Sequence, residues 1–252
     1  MEYHNDRFED FSLMVYKNGK LIALLPANKK DNIVYSHQGL SYGGVVYMKD
    51  VKFKDSLEAF ESILKYLKKS GYQKLYLNPI PQFYNSKLSD EFSYFLFILK
   101  AKLRRRDTLS VIRYSDGHSL SKSRKEGVSR AQKQGLEIKE VAGFDEFWND
   151  ILIPNLKLKH KTKPVHSLQE ITKLKSHFPD NIRQFNVYKN NKIVAGATIF
   201  ESVRGAHTQY ISGNEHNNIL GSLDFLHAHL ISSVFIEKVF FDFGNSNMNN
   251  GQ

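Results

Sequence analysis

The feature of this sequence that most constrains its fold is a repeat of nine residues. Val15–Ala23 returns as Val187–Ala195, with six of the nine positions identical, 172 residues further along the chain. Segments of the same kind follow each copy. The repeat therefore predicts one fold used twice, and that fold limits the chemistry open to the protein.

Each copy of the repeat predicts a β-hairpin. Asn18-Gly19 lies at the centre of the first copy, and both residue types tolerate the positive φ of a two-residue type I′ turn. Asn190-Asn191 takes the same place in the second copy. A further turn is expected at Lys29–Asn32, before another apolar stretch. Residues 12–47 are therefore predicted to form three antiparallel strands.

A helix and a short apolar strand are predicted after each set of strands. Apolar residues recur at helical spacing in both halves: Leu57, Phe60, Leu64 and Leu67 in the first, and Leu223, Leu226, Leu230 and Val234 in the second. The strands expected next are Leu75–Leu77 and Val239–Phe241. A helical crossover usually delivers a strand parallel to one that it skipped. Each half is therefore predicted to run β-β-β-α-β.

The two halves are expected to differ at their ends. The first half begins at its hairpin and continues into further predicted elements: a helix near 90–102 and a strand near 108–114. The second half is preceded by a basic helix near 121–134, a strand at 136–141, and helices near 144–160 and 167–177. No closing helix and strand are visible after Gly244, so an exposed sheet edge is expected there. The elements predict an α/β (α+β) protein of two lobes, residues 1–116 and 117–252.

The charge of the chain favours an anionic partner. The net charge is +10, and residues 100–139 hold twelve Lys and Arg against four Asp and Glu. A second basic cluster consists of Lys157, Lys159, Lys161 and Lys163. A nucleotide-bearing cofactor, RNA or a phospho-sugar fits such clusters, and so does a plain solvated face. Cysteine is absent, which excludes disulfides and thiolate catalysis. With no apolar run long enough to span a bilayer, a cytoplasmic location is expected.

Five further segments stand out in the order Ser36–Gly44, Ser123–Gly135, Lys163–Leu168, His207–Ser212 and Phe241–Ser246. In this order they resemble the GNAT acyltransferase fold in the tandem arrangement of FemAB-like proteins and the related BioF2-like acetyltransferase domain. The resemblance implies tandem GNAT-like lobes, each with a mixed, mostly antiparallel sheet flanked by helices. Family members usually begin earlier and continue into an L-N-x-G-L…K-E-x-F-G stretch with a functional lysine. The resemblance thus also implies a chain truncated at both ends, or a degenerate copy.

The resemblance implies three catalytic candidates. Acyl transfer to an amine needs a base, a donor to the developing oxyanion and an acid for the leaving group. His207 and Tyr210 on the central strand are candidates for base and acid, and Asp242 ends the crossover strand beside them. Residues three apart point to opposite faces of an ideal strand, so the pair shares a face only if a bulge intervenes. His207 and Tyr210 also fit a packing role, and Asp242 also fits a cap for the following turn.

An acyl-CoA (acetyl-CoA) co-substrate is the expected donor, and no metal site is predicted. The resemblance places it between the central and crossover strands, with its pyrophosphate at the start of the crossover helix. Gly221 would allow close phosphate approach and Ser222 would cap the helix, although an ordinary helix start also fits. The predicted cofactor-binding residues are Ile211, Ser212, Asn217, Asn218, Gly221 and Ser222. The predicted substrate-binding residues are His37, Gln38, Tyr42, Arg124, Arg130, Asn245 and Ser246.

Three functions are compatible with these residues. The first is an N-acyltransferase acting on an amino group of a sugar, peptide or lipid precursor, such as a cell-envelope precursor. The second is a Fem-type transferase that uses aminoacyl-tRNA, whose phosphates the basic helix near 121–134 would track. The third is a catalytically inactive fragment or binding module.

Overall fold

The computed structural model describes residues 6–87 and 89–246, which fold into two compact units divided between Arg104 and Arg105. The boundary predicted at 116/117 therefore falls inside the second unit. The reason is a strand at Leu109–Arg113, which belongs to the sheet of the second unit.

The first unit contains two small sheets and two helices. In chain order its elements are β1 (Glu9–Asp10), β2 (Leu13–Lys17), β3 (Lys20–Leu25), β4 (Asn28–Lys30), β5 (Ile33–Tyr35), β6 (Val46–Tyr47), α1 (Phe53–Lys69), β7 (Lys74–Tyr76), a 3-10 turn (Gln82–Tyr84) and α2 (Glu91–Ile98). The sheet orders are β1-β4-β5-β7 and β2-β3-β6. The crossover through α1 makes β7 parallel to β5, as predicted.

The second unit is built on one six-stranded sheet. Its elements are β8 (Leu109–Arg113), a 3-10 turn (Tyr114–Asp116), α3 (Lys122–Lys133), β9 (Glu137–Val141), a π-helix (Phe147–Leu152), α4 (Ile153–Asn155), a second π-helix (Leu156–His160), α5 (Leu168–His177), β10 (Ile182–Lys189), β11 (Lys192–Glu201), β12 (Gly205–Gly213), α6 (Asn217–Leu220), α7 (Ser222–His229), a third π-helix (Leu230–Val234) and β13 (Phe240–Asn245). The strand order is β8-β13-β12-β11-β10-β9.

The two copies of the repeat form β-hairpins, as predicted, and the two hairpins have the same register. Val15 lies opposite Ala23 in the first hairpin, and Val187 lies opposite Ala195 in the second. A bulge follows the valine in both pairs. The turn residues have positive φ in both hairpins, 51° and 74° at Asn18-Gly19 and 49° and 61° at Asn190-Asn191. The residue types at the turn thus produce the same local geometry in both hairpins.

Strand β8 corrects the expectation of an exposed edge beside β13. It runs antiparallel to β13, with Arg113 opposite Phe240 and Ile112 opposite Phe241. Beyond the end of β13, Ser246 donates its backbone N–H to the carbonyl oxygen of Thr108 at 2.9 Å. A strand that the sequence assigned to the first lobe therefore completes the sheet of the second unit.

Helices cover both faces of the six-stranded sheet. On one face, Phe185, Val187 and Ile199 pack with residues of α3 and α7. On the other face, Trp148, Ile151 and other residues of the Phe147–His177 segment form a second buried cluster. No described helix is both long and apolar enough to cross a membrane. The described residues also contain no group of three His, Asp or Glu side chains placed to hold a metal ion.

His227 on α7 is a half-buried histidine in the first of these layers. Its ring contacts Phe241 and Phe243 edge-on, with ring centroids 6.4 and 5.2 Å away. Desolvation lowers the pKa of His227 to about 4, with the nearby Asp224 opposing and Arg124 reinforcing the shift. The folded protein therefore holds this ring neutral while the unfolded chain protonates it below pH 6.5.

We predict that His227 makes the second unit lose stability as the pH falls from 6.5 towards 4. Its contribution should reach about 3 kcal/mol, because protonation is confined to the unfolded state in this window. His227→Leu should remove this part of the pH dependence. The measurement is denaturant unfolding at several pH values, followed by the fluorescence of Trp148, the single tryptophan. His177→Leu, at an exposed histidine, is the matched control; an unchanged pH profile in His227→Leu would contradict the prediction.

Candidate functional site

A β-bulge in β12 brings two of the predicted catalytic residues to the same face of the sheet. Thr208 lies opposite Ile199 and Tyr210 lies opposite Thr198, so Gln209 is an extra residue in the ladder. One extra residue shifts the alternation of side chains by one position. His207 and Tyr210 therefore share a face, which satisfies the condition that the sequence left open.

His207 is paired with a fully buried carboxylate. It lies directly opposite Asp242, where β12 and β13 run parallel. The distance from His207 Nδ1 to Asp242 Oδ2 is 2.9 Å, and Asp242 is 0% exposed. Because a carboxylate accepts hydrogen bonds, Nδ1 carries the hydrogen and Nε2 is left as the accepting nitrogen of the neutral ring. The side chain of His207 is 19% exposed, so solvent can reach the ring.

Asp242 also performs the capping role that the sequence offered as the alternative. Its Oδ1 accepts the backbone N–H of Gly244 at 2.7 Å. Gly244 has a φ of 86°, a conformation that glycine adopts without strain. One carboxylate thus holds both the histidine and the turn at which β13 bends.

Tyr210 is held by His166, a residue that sequence reasoning did not select. The Tyr210 hydroxyl lies 2.6 Å from His166 Nδ1 and accepts the His166 backbone N–H at 3.1 Å. The ring of Trp148 meets Tyr210 edge-on at 5.0 Å, and Trp148 Nε1 donates to the His166 carbonyl at 3.3 Å. The segment Lys163–Leu168 was noted for its resemblance, but no local pattern indicates which strand residue His166 meets.

A row of buried polar side chains continues across the same face of the sheet. Thr198 donates its hydroxyl to Gln184 Oε1 at 2.6 Å, and Gln184 Nε2 donates to Asn186 Oδ1 at 2.7 Å. Asn186 Nδ2 donates to the Tyr188 hydroxyl at 3.0 Å, and that hydroxyl donates to Glu146. Burial, and then the bond to Glu146, raises the pKa of Tyr188. The row fixes side chains beside Tyr210, because buried polar groups cost free energy unless they are paired.

The parallel ladder between β12 and β13 ends at His207 and Asp242. Their parallel pairing covers Gly205, Ala206 and His207 of β12. Further along, β12 pairs with β11 and β13 pairs with β8, and the described chain has no ladder between β12 and β13 there. Backbone N–H and C=O groups at the end of a ladder are the kind that a strand-like ligand can pair with.

Two predicted cofactor residues, Ile211 and Ser212, lie on the part of β12 beyond that ladder. Ile211 packs against the α3 and α7 side of the core. Ser212 accepts a hydrogen bond from Asn155 Nδ2 at 2.7 Å, and the same amide donates to the carbonyl of Gly213. The segment Leu152–Leu156 is thereby anchored to the end of β12.

The start of the crossover helix differs from the expectation. Gly221 has a φ of 70°, and a Cβ there would overlap the carbonyl oxygen of Gly127 on α3. Ser222 is 0% exposed and forms no cap; Gly221 is the N-cap residue of α7. Gly221 thus serves the close packing of α7 on α3. Ser222, the next residue, is buried, and the predicted cofactor-binding role of both residues stays a prediction. Asn217 donates to the Asn214 carbonyl at 2.7 Å, and Asn218 is exposed.

We predict that Gly221→Ala destabilises the second unit by about 2–5 kcal/mol, since it adds overpacking to a strained φ. Gly135→Ala is the matched control: its φ is 67°, and a Cβ there would meet no atom within 4 Å. It should cost only about 1–2 kcal/mol. Denaturant unfolding followed by Trp148 fluorescence measures both. Equal losses would show that Gly221 is not needed for packing.

Arg124 and Arg130 lie away from the His207 face. Both are on α3, which packs with α7 on the opposite side of the sheet. Arg124 pairs with Asp224 at 2.7 Å, and Arg130 donates to the Asn218 carbonyl at 3.3 Å. The structure therefore ties these two arginines to the helix layer and does not bring them to the catalytic candidates.

Asn245 and Ser246 lie at the end of β13, against β8. Asn245 is opposite Leu109, and Ser246 Oγ is 2.6 Å from Ser110 Oγ. Their contacts are with the strand that completes the sheet, so their predicted substrate role stays a prediction.

The three candidates in the first unit each contact other residues of that unit. His37 is 3% exposed, has a φ of 64° and accepts the Gly39 backbone N–H at Nδ1 at 3.1 Å. Gln38 binds Asn28 twice, through its backbone N–H at 2.8 Å and its side-chain oxygen at 3.0 Å. The ring of Tyr42 lies 5.8 Å from that of Tyr84. These contacts shape the segment after β5, and the substrate role stays a prediction.

Comparison with known proteins identifies the fold. No family model matches the chain, and no curated protein matches it by sequence. Among solved structures, FemX is similar over 98% of this chain and 82% of its own, with a TM-score of 0.63 and 11% identity. The C-terminal domain of a protein designated a lysylphosphatidylglycerol synthetase, from Agrobacterium fabrum, is similar over 96% of this chain and 72% of its own (TM-score 0.60, 14% identity).

A tandem GNAT protein from the clavulanic acid biosynthesis pathway is also similar, over 94% of this chain and 74% of its own, with a TM-score of 0.51 and 11% identity. At these identities the shared property is the fold. The α+β class and the GNAT-like architecture predicted from sequence are confirmed, and the chain shares its fold with FemX, the lysylphosphatidylglycerol synthetase domain and the tandem GNAT protein.

Proposed function

We propose that this protein is an N-acyltransferase that moves an acyl group from acyl-CoA to an amino group of a sugar, peptide or lipid precursor. The observation that carries the proposal is the His207–Asp242 pair at the end of the ladder between β12 and β13. The coarser role, acyl or aminoacyl transfer, is also supported by the fold shared with FemX, a lysylphosphatidylglycerol synthetase domain and a tandem GNAT protein.

His207 is placed to act as the base. Its Nδ1–H is held by Asp242, which leaves Nε2 to accept a proton from the attacking amine. Asp242 is a positioning residue in this scheme, because it fixes the tautomer and orientation of the ring without meeting the substrate. The amine approaches from the face that His207 shares with Tyr210.

Tyr210 is placed to act as the acid. Its hydroxyl can give a proton to the leaving group and regain one through His166, whose Nδ1 is 2.6 Å away. Bound acyl-CoA would supply the thioester carbon that is attacked and the thiolate that leaves. The backbone edges of β12 and β13 beyond their ladder would hold its arm, and backbone N–H groups there would stabilise the developing oxyanion.

The first test is donor binding followed by transfer. We expect acetyl-CoA and CoA to bind the protein in calorimetric titration, with His207→Gln binding them as well as the parent does. Transfer to an amine acceptor should fall by roughly 10²–10⁴-fold in His207→Gln, because a positioned general base contributes that much. His177→Gln, at an exposed histidine on α5, is the matched control and should leave transfer unchanged.

The same experiment separates the competing functions. Aminoacyl-tRNA binding that weakens steeply with salt, without any binding of acyl-CoA, would replace the donor with aminoacyl-tRNA. Binding of neither donor would overturn the transferase proposal and favour a binding module. If His207→Gln transfers the acyl group as fast as the parent, the proposed activity stands but His207 is not its base.

A further inference from the structure

Helix α2 of the first unit is apolar on both of its faces. Its inner face packs on α1, where the Phe95 ring is 6.3 Å from Phe60 and is fully buried. The outer stripe at i, i+3 and i+4 consists of Tyr94, Phe97 and Ile98, which are 51%, 79% and 45% exposed. A surface helix normally exposes polar residues to water. Packing within the first unit therefore does not explain this exposed apolar stripe.

A strongly basic segment follows directly after the apolar stripe. Residues 100–106 contain Lys100, Lys102, Arg104, Arg105 and Arg106, and all seven positions are exposed. Leu103, in their midst, is 67% exposed. Lys100, Lys102 and Arg106 form no ion pair with any described residue, whereas Arg105 pairs with Asp107 at 2.6 Å.

The helix end fixes where the basic segment begins. Lys100 has a φ of 51°, and its N–H donates to the Phe97 carbonyl at 2.9 Å. Ala101 donates to the Leu96 carbonyl, also at 2.9 Å. These two bonds form a Schellman motif, which stops the helix and turns the chain in a defined direction. Apolar stripe and basic segment are therefore joined without a loose linker.

We infer that α2 and residues 99–106 bind the surface of an anionic phospholipid bilayer. Tyr94, Phe97 and Ile98 would enter the boundary between head groups and acyl chains, and the basic residues would meet lipid phosphates. A second copy of the chain is a poorer partner, since a two-fold interface would oppose like charges. RNA would satisfy the charges but would leave Ile98 and Leu103 in water. This inference does not depend on the proposed transferase activity.

Vesicle co-sedimentation with the full chain tests the inference. We expect binding to vesicles of equal parts phosphatidylcholine and phosphatidylglycerol, and little binding to phosphatidylcholine alone. Phe97→Ser should weaken binding about tenfold, because one exposed phenyl ring no longer leaves water. The triple variant Lys100→Gln/Lys102→Gln/Arg106→Gln should weaken it on the order of a hundredfold, and salt should weaken the parent.

Two matched controls come from the second unit. Val203→Ser removes an aliphatic side chain that is 93% exposed. Lys157→Gln/Lys159→Gln/Lys161→Gln removes three exposed lysines from another basic cluster. Both should bind anionic vesicles as the parent does. Circular dichroism should be the same for all variants, because every altered side chain is exposed.

A depth measurement identifies the inserted residue. Phe97→Trp should be quenched by lipids with brominated acyl chains, whereas Val203→Trp should not, each compared with the parent that carries only Trp148. Equal binding to neutral and anionic vesicles, equal losses in the control variants, or tRNA binding without vesicle binding would each overturn the inference. So would a dimer in light scattering that Phe97→Ser abolishes while vesicles are not bound.

Discussion

The arrangement of the candidate site depends on one buried carboxylate. Asp242 is without solvent exposure, and an ionised carboxylate in such a place is tolerated only when donors surround it. His207 Nδ1 and the Gly244 N–H supply them, at 2.9 and 2.7 Å. The first bond fixes the ring beside β12. The second holds the turn at Gly244, where the register of β13 against β8 shifts. One carboxylate thus positions both the ring of His207 and the end of β13.

The sheet that carries Asp242 is completed by β8, a strand that the sequence assigned to the first lobe. β8 pairs with β13 opposite Phe240, Phe241 and Asp242, so β13 is bonded on both sides where it carries Asp242. A β13 at the sheet edge would leave one row of backbone groups to water or to another chain. Pairing with β8 removes that hazard and holds rigid the strand that carries the carboxylate.

Most of the fold follows from local patterns in the sequence. The two hairpins, the crossover helices and the parallel strands after them were all predicted, because turn residues and apolar spacing act over a few positions. The site was predicted less completely. His207, Tyr210 and Asp242 do lie on adjoining strands, but the bulge at Gln209 that aligns His207 with Tyr210 has no signature in the sequence. The packing of Gly221 against Gly127 of α3 was likewise not indicated by the sequence.

The sequence by itself determined the two hairpins and the apolar faces of α1 and α7, since each depends on residues close together in the chain. Only the tertiary structure decided the partner of β8, the contact of His166 with Tyr210 and the packing of Gly221 on Gly127. Each of these joins segments tens of residues apart. Their geometry depends on how whole faces of helices and sheets pack, and a pattern that reports each face separately does not specify its partner.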